Sequence, residues 1–276
     1  MDYKKLYNES IRFLLSFEQI NQEDLDKHLD SEYKKPKDIK IIYEGFCVSA
    51  QNKQMCSRVI GGSIGGVHNL KEVLFDFNPL KVAKRYNRTD DDILLDEIKT
   101  KLNPKGQIRT ENKSLWPQYC KSIIDSAHFL KSFETADKFY DWTNLFAKDS
   151  KSKPALPLMI SIEIRGLGFP LACDLLKELG FTEYGKPDVH LKDIFKALSI
   201  IDSFEKSSTK QDYDTLKAID AIAEANNVTS YAVDKVFWLI GSGNFYLTDK
   251  NIGRQKKVFI EMILASKVSG KPNYPI

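Results

Sequence analysis

Apolar residues recur along most of this chain at steps of three and four, the period of helices with one buried face. Residues near 3–35 carry Leu6, Ile11, Leu14, Leu15 and Phe17, then Leu25 and Leu29, and the pattern predicts helix until Pro36 and Lys37-Asp38 break it. The run Ile41-Ile42-Tyr43-Glu44-Gly45-Phe46-Cys47-Val48-Ser49-Ala50 is apolar almost all round, as a buried helix is, and it ends in the polar turn Gln51-Asn52-Lys53-Gln54. A second helical start is expected over 55–60, then a flexible connection at Gly61-Gly62-Ser63-Ile64-Gly65-Gly66. Residues 70–115 are rich in lysine and aspartate, with short apolar clusters at Val73-Leu74-Phe75 and Ile93-Leu94-Leu95. The helical period resumes at Trp116-Pro117 and continues through Phe139, Trp142 and Phe146 to a polar break at 148–154. Beyond it lie an apolar stretch over 155–164, an amphipathic one over 171–179 that Gly180 stops, and helices after Asp188, over 211–226 and from near Thr229. No period-two run is long. The pattern predicts a nearly all-α protein.

Two of these helical patterns are joined by Ile164-Arg165-Gly166-Leu167-Gly168-Phe169-Pro170-Leu171-Ala172. Glycines permit a sharp turn and the close approach of another backbone. A helix that begins there offers free N–H groups and the positive end of its dipole, which together favour an anion. A DNA phosphate is one such anion, and contacts of this kind position a protein without reading sequence. Pro170 suits the first helical turn, though it removes one donor. Read alone, an ordinary helical corner whose glycines relieve crowding explains the segment equally well. Downstream, Tyr184-Gly185-Lys186-Pro187-Asp188-Val189-His190-Leu191 places an acid where a short loop ends and a helix starts.

Composition narrows the chemistry. Across 276 residues, 41 lysines and arginines stand against 38 acids, so any basic surface must come from segregation of charge. No apolar run approaches the roughly 20 residues of a membrane span. The opening Met1-Asp2-Tyr3-Lys4-Lys5 lacks the apolar core of a secretory signal, so a cytoplasmic location, nucleoid-associated in a prokaryote, is expected. Cys47, Cys56, Cys120 and Cys173 are scattered, which argues against a zinc or iron–sulfur site and against disulfides. The glycine-rich stretch lacks the lysine and spacing of a phosphate loop. Thr89-Asp90-Asp91-Asp92 are placed to cap a helix over 93–102; as metal ligands, adjacent acids would point in different directions around that helix. No metal site is expected.

The hairpin and the acid together resemble the helix-hairpin-helix DNA glycosylases, the superfamily of endonuclease-III-like and 8-oxoguanine-type base-excision enzymes. The family's hairpin reads Leu-Pro-Gly-Val-Gly-Arg-Lys-Thr-Ala, against residues 164–172 here, and its acidic motif Val-Asp-Thr-His-Val is similar to Pro187-Asp188-Val189-His190-Leu191. The distance from Pro170 to Asp188 is close to the family's own, and Val48-Ser49-Ala50-Gln51-Asn52 looks like its Leu-Ser-Ala-Gln helix end. The resemblance implies an all-α fold of two helical lobes with an active-site cleft between them: a central lobe over 41–182 carrying the hairpin, and a second over 1–40 with 183–276. It implies Asp188 as the catalytic residue and Gly166, Leu167, Gly168, Phe169, Gln51, Asn52 and Lys186 as DNA-binding residues. The partner is double-stranded DNA with a damaged or modified base, flipped out of the stack for base excision repair and met by a monomer.

Where bifunctional members carry a lysine nucleophile this chain has Pro170, which has no amine for a Schiff base. The resemblance therefore implies a monofunctional enzyme working through Asp188 and water, without lyase activity. No cofactor is implied beyond a monovalent cation at the hairpin, and no cysteine follows Cys173 to hold the family's iron–sulfur cluster. Asp234 and Trp238 share a helix face at a distance from Asp188 that resembles the base pocket of the 8-oxoguanine branch, and Trp142 is a second stacking candidate. His190 is expected to pack or cap beside the acid. The alternative is a non-catalytic helix-hairpin-helix DNA-binding protein that kept the hairpin and lost the chemistry.

Overall fold

The computed structural model describes residues 1–30, 35–53 and 57–269. In chain order its helices are α1 (Tyr3–Leu15), α2 (Gln22–Leu29), α3 (Ile39–Gln51), α4 (Pro79–Arg85), α5 (Asp91–Leu102), α6 (Leu115–Leu130), α7 (Ala136–Ala147), α8 (Ala155–Glu163), α9 (Phe169–Glu178), α10 (Val189–Ala197), α11 (Ser208–Asn226), α12 (Ser230–Ser242) and α13 (Lys256–Ser269). The strands among the described residues are an antiparallel pair, β1 (Asn244–Phe245) and β2 (Lys250–Asn251). The fold is all-α. No helix of the described residues is long and apolar enough to cross a membrane. The chain divides into two compact units, Tyr33–Leu179 and Met1–Glu32 with Gly180–Ile276.

In the unit that holds both chain ends, α1, α10, α11, α12 and α13 pack around Phe13, Leu14, Phe195, Ile219, Phe237 and Phe259. Phe195 meets Phe237 edge-on at 5.1 Å, and Phe13 meets Phe259 at 5.3 Å. Burying each such ring contributes about 1.5–3 kcal/mol. The single helix expected near the amino terminus is two helices. Asp2 caps α1 by accepting from Lys5 N–H, and Asn21 with Asp24 forms a reciprocal capping box that starts α2. The apolar period ran through the break because Phe17 and Ile20 still pack on the core there.

In the other unit, α3 and α6 are tied by reciprocal bonds that satisfy polar groups inside the core. Tyr43 Oη donates to Ile123 O, and Tyr119 Oη donates to Cys47 O, each at 3.0 Å. Residues 57–60 form a turn where a helical start was expected; Gln54, Met55 and Cys56 lie outside the described residues. The glycine stretch is no loose connection: Gly61–Ile64 and Val67–Glu72 are 3-10 segments with Gly61, Ser63 and Ile64 buried. Helix α4 was not predicted. It starts with Asn78 as cap and Pro79 in the first turn, directly after Phe75, Asp76 and Phe77 at φ 53°, 53° and 54°. That left-handed run turns Phe77 inward against Tyr43 and leaves Phe75 exposed. Helix α5 begins at Asp91; Asp90 stands at its cap position, but its carboxylate accepts from Asn87 instead. No group of metal-ligating side chains occurs among the described residues.

Candidate functional site

The hairpin joins α8 to α9. Leu167 N–H donates to Ile164 O at 3.2 Å, closing a turn in which Gly166 has φ +88°. That conformation favours glycine at the third turn position. Space demands it too, because a Cβ on Gly166 would lie 2.5 Å from Ser122 Oγ. Ser122 on α6 donates to Arg165 O at 2.6 Å. One turn further along α6, the fully buried Asp125 accepts from Arg165 N at 3.1 Å and from Arg165 Nε at 2.6 Å, and also from Arg88 Nη1 at 3.0 Å. Arg165, the second residue of the turn, is thus fastened to α6 through both its N–H and its carbonyl.

Gly168 differs. It has φ −63°, and a Cβ there would meet nothing within 4 Å. The first bond of α9 runs from Ala172 N to Gly168 O, so the N–H groups of Gly168 and Phe169 precede the helical ladder. Phe169 and Leu167 have buried side chains, and the Leu167 N–H is already used in the turn. Of the expected hairpin contacts, Leu167 therefore offers an outside partner neither its side chain nor its N–H.

Other expected residues of the same unit separate. Gln51 ends α3 with its Oε1 against Gly61, where a Cβ would come within 2.5 Å. It lines a small cleft with Lys53, Gln118 and Ser122. Lys53 bonds Gln118 Oε1, and its Nζ lies 3.9 Å from where a Gly166 Cβ would be. Lys53 was not singled out from sequence, although it follows Gln51-Asn52 directly. Asn52 lines a different groove, beside Glu44, Asp174 and Glu178. Trp142 packs its ring among Phe129, Phe133, Phe139 and Phe146 at 5.3–6.5 Å, an aromatic cluster of its own unit.

Asp188 belongs to the unit with both chain ends. It is the N-cap of α10: Oδ1 accepts from His190 N at 2.8 Å and Leu191 N at 3.2 Å. Its Oδ2 makes no hydrogen bond among the described residues. The preceding loop is held by Asp234, whose Oδ2 accepts from Lys186 N at 3.0 Å, and Asp188 N donates to Lys186 O at 2.8 Å. Gly185 fits tightly there, since a Cβ would lie 2.9 Å from Ile219 Cγ2. Burial, and then the neighbouring Asp234 carboxylate, push the Asp188 carboxyl above its ordinary value, against the pull of the Leu191 N–H, His190 and Lys186. His190 packs over Gly241, where a Cβ would lie 2.5 Å from the His190 Cβ and 2.6 Å from its ring, and its buried Nδ1 has no hydrogen-bond partner among the described residues.

Asp234 is buried, and its bond to Lys186 N gives it a part in shaping the Asp188 loop. Trp238, one helical turn on, is partly exposed. Lys235 Nζ lies 5.8 Å from its ring and Tyr246 meets it edge-on at 5.8 Å. Lys235 also approaches the Tyr231 and Tyr246 rings and bonds Tyr246 Oη at 2.9 Å. Asp188, Lys186 and Asp234 are therefore brought together, while the chain's own side chains flank the Trp238 ring.

No family model matches the chain, and no curated protein does. Among solved structures it is similar to the 8-oxoguanine glycosylase/lyase of Methanocaldococcus jannaschii, crystallised with a 15-mer DNA containing 8-oxoguanine. The two share 15% identity over 87% of this chain and 99% of the other, with a TM-score of 0.53. At that identity the likeness is one of fold, and it agrees with the all-α architecture.

Proposed function

We propose that the protein is a DNA glycosylase that hydrolyses the N-glycosidic bond of a damaged or modified base in duplex DNA. The observation that carries this reading is Asp188 itself: a partly buried carboxylate with one oxygen fixed by two N–H groups and the other without a hydrogen bond among the described residues. The similar fold of an enzyme crystallised with 8-oxoguanine DNA supports it.

The hairpin would seat a backbone phosphate on the N–H groups of Gly168 and Phe169, with Lys53 beside them. Gln51, at the end of α3, would probe the duplex where the base has left the stack. Trp238 would offer its remaining face to the flipped base, while Asp234 keeps the Asp188 loop in register. At the sugar, the bond from C1′ to the base nitrogen breaks and its electron pair leaves with the base. The positive charge left on the sugar is stabilised by the Asp188 carboxylate. Water adds to C1′, and its proton passes to Asp188 or to solvent. Pro170 supplies no amine, and the buried Lys177 is held in an ion pair with Asp174 at 2.9 Å. The product is then an intact strand with an abasic site.

The test is base release from duplexes carrying oxidised, alkylated, deaminated or phage-type modified bases. Asp188→Asn should lower the rate by about 10²–10⁴-fold on whichever duplex the wild type cleaves. Release that survives the substitution would sink the role of Asp188. A covalent adduct trapped with borohydride would show that a lysine acts as nucleophile after all.

A further inference from the structure

A cavity of about 430 Å³ opens at the start of α6, lined by Val59, Gln107, Arg109, Lys113, Leu115 and Trp116 among others. The hairpin does not use it. Arg109 and Lys113 are both exposed and form no close salt bridge among the described residues, although the charge of Arg109 is felt by Glu111. The acid between them, Glu111, accepts from Ser114 Oγ at 2.9 Å. Between α5 and α6 the chain carries Lys105, Arg109 and Lys113 against Glu111 alone, so charge is segregated here in a protein whose total is nearly balanced.

This basic strap is held in place from both sides. Lys105 N–H donates to Ser63 O at 2.9 Å, pinning it on the 3-10 segment of the glycine stretch. Gln118 Nε2 donates to Lys113 O at 2.6 Å, while Gln118 Oε1 bonds Lys53, the lysine beside Gly166. One side chain thus couples the hairpin to the cavity. The wall combines two exposed cations with apolar surface from Val59, Leu115 and Trp116, which suits a phosphodiester with its sugar better than a small inorganic anion.

We propose that this cavity is a second DNA-backbone site, gripping a phosphodiester of the same duplex that the hairpin holds. The proposal rests on the glycosylase reading and adds a contact to it. It explains the glycine stretch without a nucleotide cofactor: the stretch is the ledge on which the strap lies.

The experiment is a titration of modified and unmodified duplexes at several salt concentrations, with wild type, Arg109→Ala/Lys113→Ala and the charge-keeping Arg109→Lys/Lys113→Arg. The alanine pair should weaken binding about tenfold near 0.1 M salt and flatten the slope of log affinity against log salt by about two. The charge-keeping pair should restore the slope, and the thermal midpoints of all three should agree. Equal slopes for wild type and the alanine pair would overturn this site while leaving the glycosylase reading intact. A wild type that binds no duplex and releases no base would overturn both.

Discussion

The hairpin and the Asp188 loop are both short turns into a helix, yet their surroundings act in opposite directions. The hairpin is over-fastened: Asp125 and Ser122 hold Arg165 through its backbone N–H and carbonyl, and Asp125 adds bonds to the guanidinium. The Asp188 loop is loaded: a carboxylate is placed where burial and a second acid disfavour its charge. In the proposed function the hairpin has only to hold still, so its contacts add to stability. Asp188 in that function meets developing positive charge, and burial beside Asp234 outweighs the two N–H groups, His190 and Lys186 that favour its charge, an arrangement that costs the fold something.

The largest effect separating the two regions should come from Asp188→Asn, which keeps the N-cap, since asparagine caps as well as aspartate. Base release should fall by about 10²–10⁴-fold while stability moves the other way. The folded-state pKa of Asp188 is raised above 3.8, so ionisation in the folded protein carries a penalty. The penalty is absent well below pH 3.8, grows as pH rises through the folded value, and is complete above it. Asp188→Asn should therefore raise the thermal midpoint at neutral pH, and the gain should vanish on acidification. A lower midpoint at neutral pH would refute the loaded-loop description. By the same shift, wild-type base release should decline on acidification at a higher pH than an ordinary aspartate would give.

On the anchor side, Asp125→Ala should cost about 2 kcal/mol, read from denaturant unfolding. The figure is below that for a fully buried pair because Arg88 and Arg165 keep 43% and 46% of their side-chain surface exposed and can hydrate. A change within error would mean that the hairpin holds its shape without the clamp.

These two regions also differ in what the sequence made legible. Local signals carried well. The helical period, the Gly180 stop after α9 and the acid at the start of α10 all act within one or two turns, and the all-α class followed from them. Partners far apart in the chain left no such trace. Asp125 and Arg88 reach the hairpin from 40 and 77 residues away, and Lys186 finds Asp234 across 48. Nothing in a single sequence marks such pairs. Trp142 shows the converse: an aromatic at helical spacing reads the same whether its ring meets four phenylalanines or a base. The break between α1 and α2 was hidden because Phe17 and Ile20 keep the apolar rhythm while the backbone leaves the helix.

The finest contrast lies within the hairpin, between its two glycines. Gly166 is fixed by φ +88° and by Ser122 Oγ at 2.5 Å from a would-be Cβ, so Gly166→Ala should destabilise by at least about 1 kcal/mol. Gly168 has an ordinary φ of −63° and open space around it. Gly168→Ala should change stability by less than about 1 kcal/mol, because restriction of the unfolded chain offsets the poorer fit of alanine at the N-cap of α9. Backbone angle and space leave only the N-cap preference as a reason for glycine at this position; a phosphate seated on the α9 N–H groups would give a second, since a methyl there would stand in its way. Gly168→Ala should therefore weaken duplex binding far more than its small shift in thermal midpoint explains. Unchanged binding in a fully folded Gly168→Ala protein would remove the phosphate from this end of α9 and leave the hairpin as a corner that merely packs.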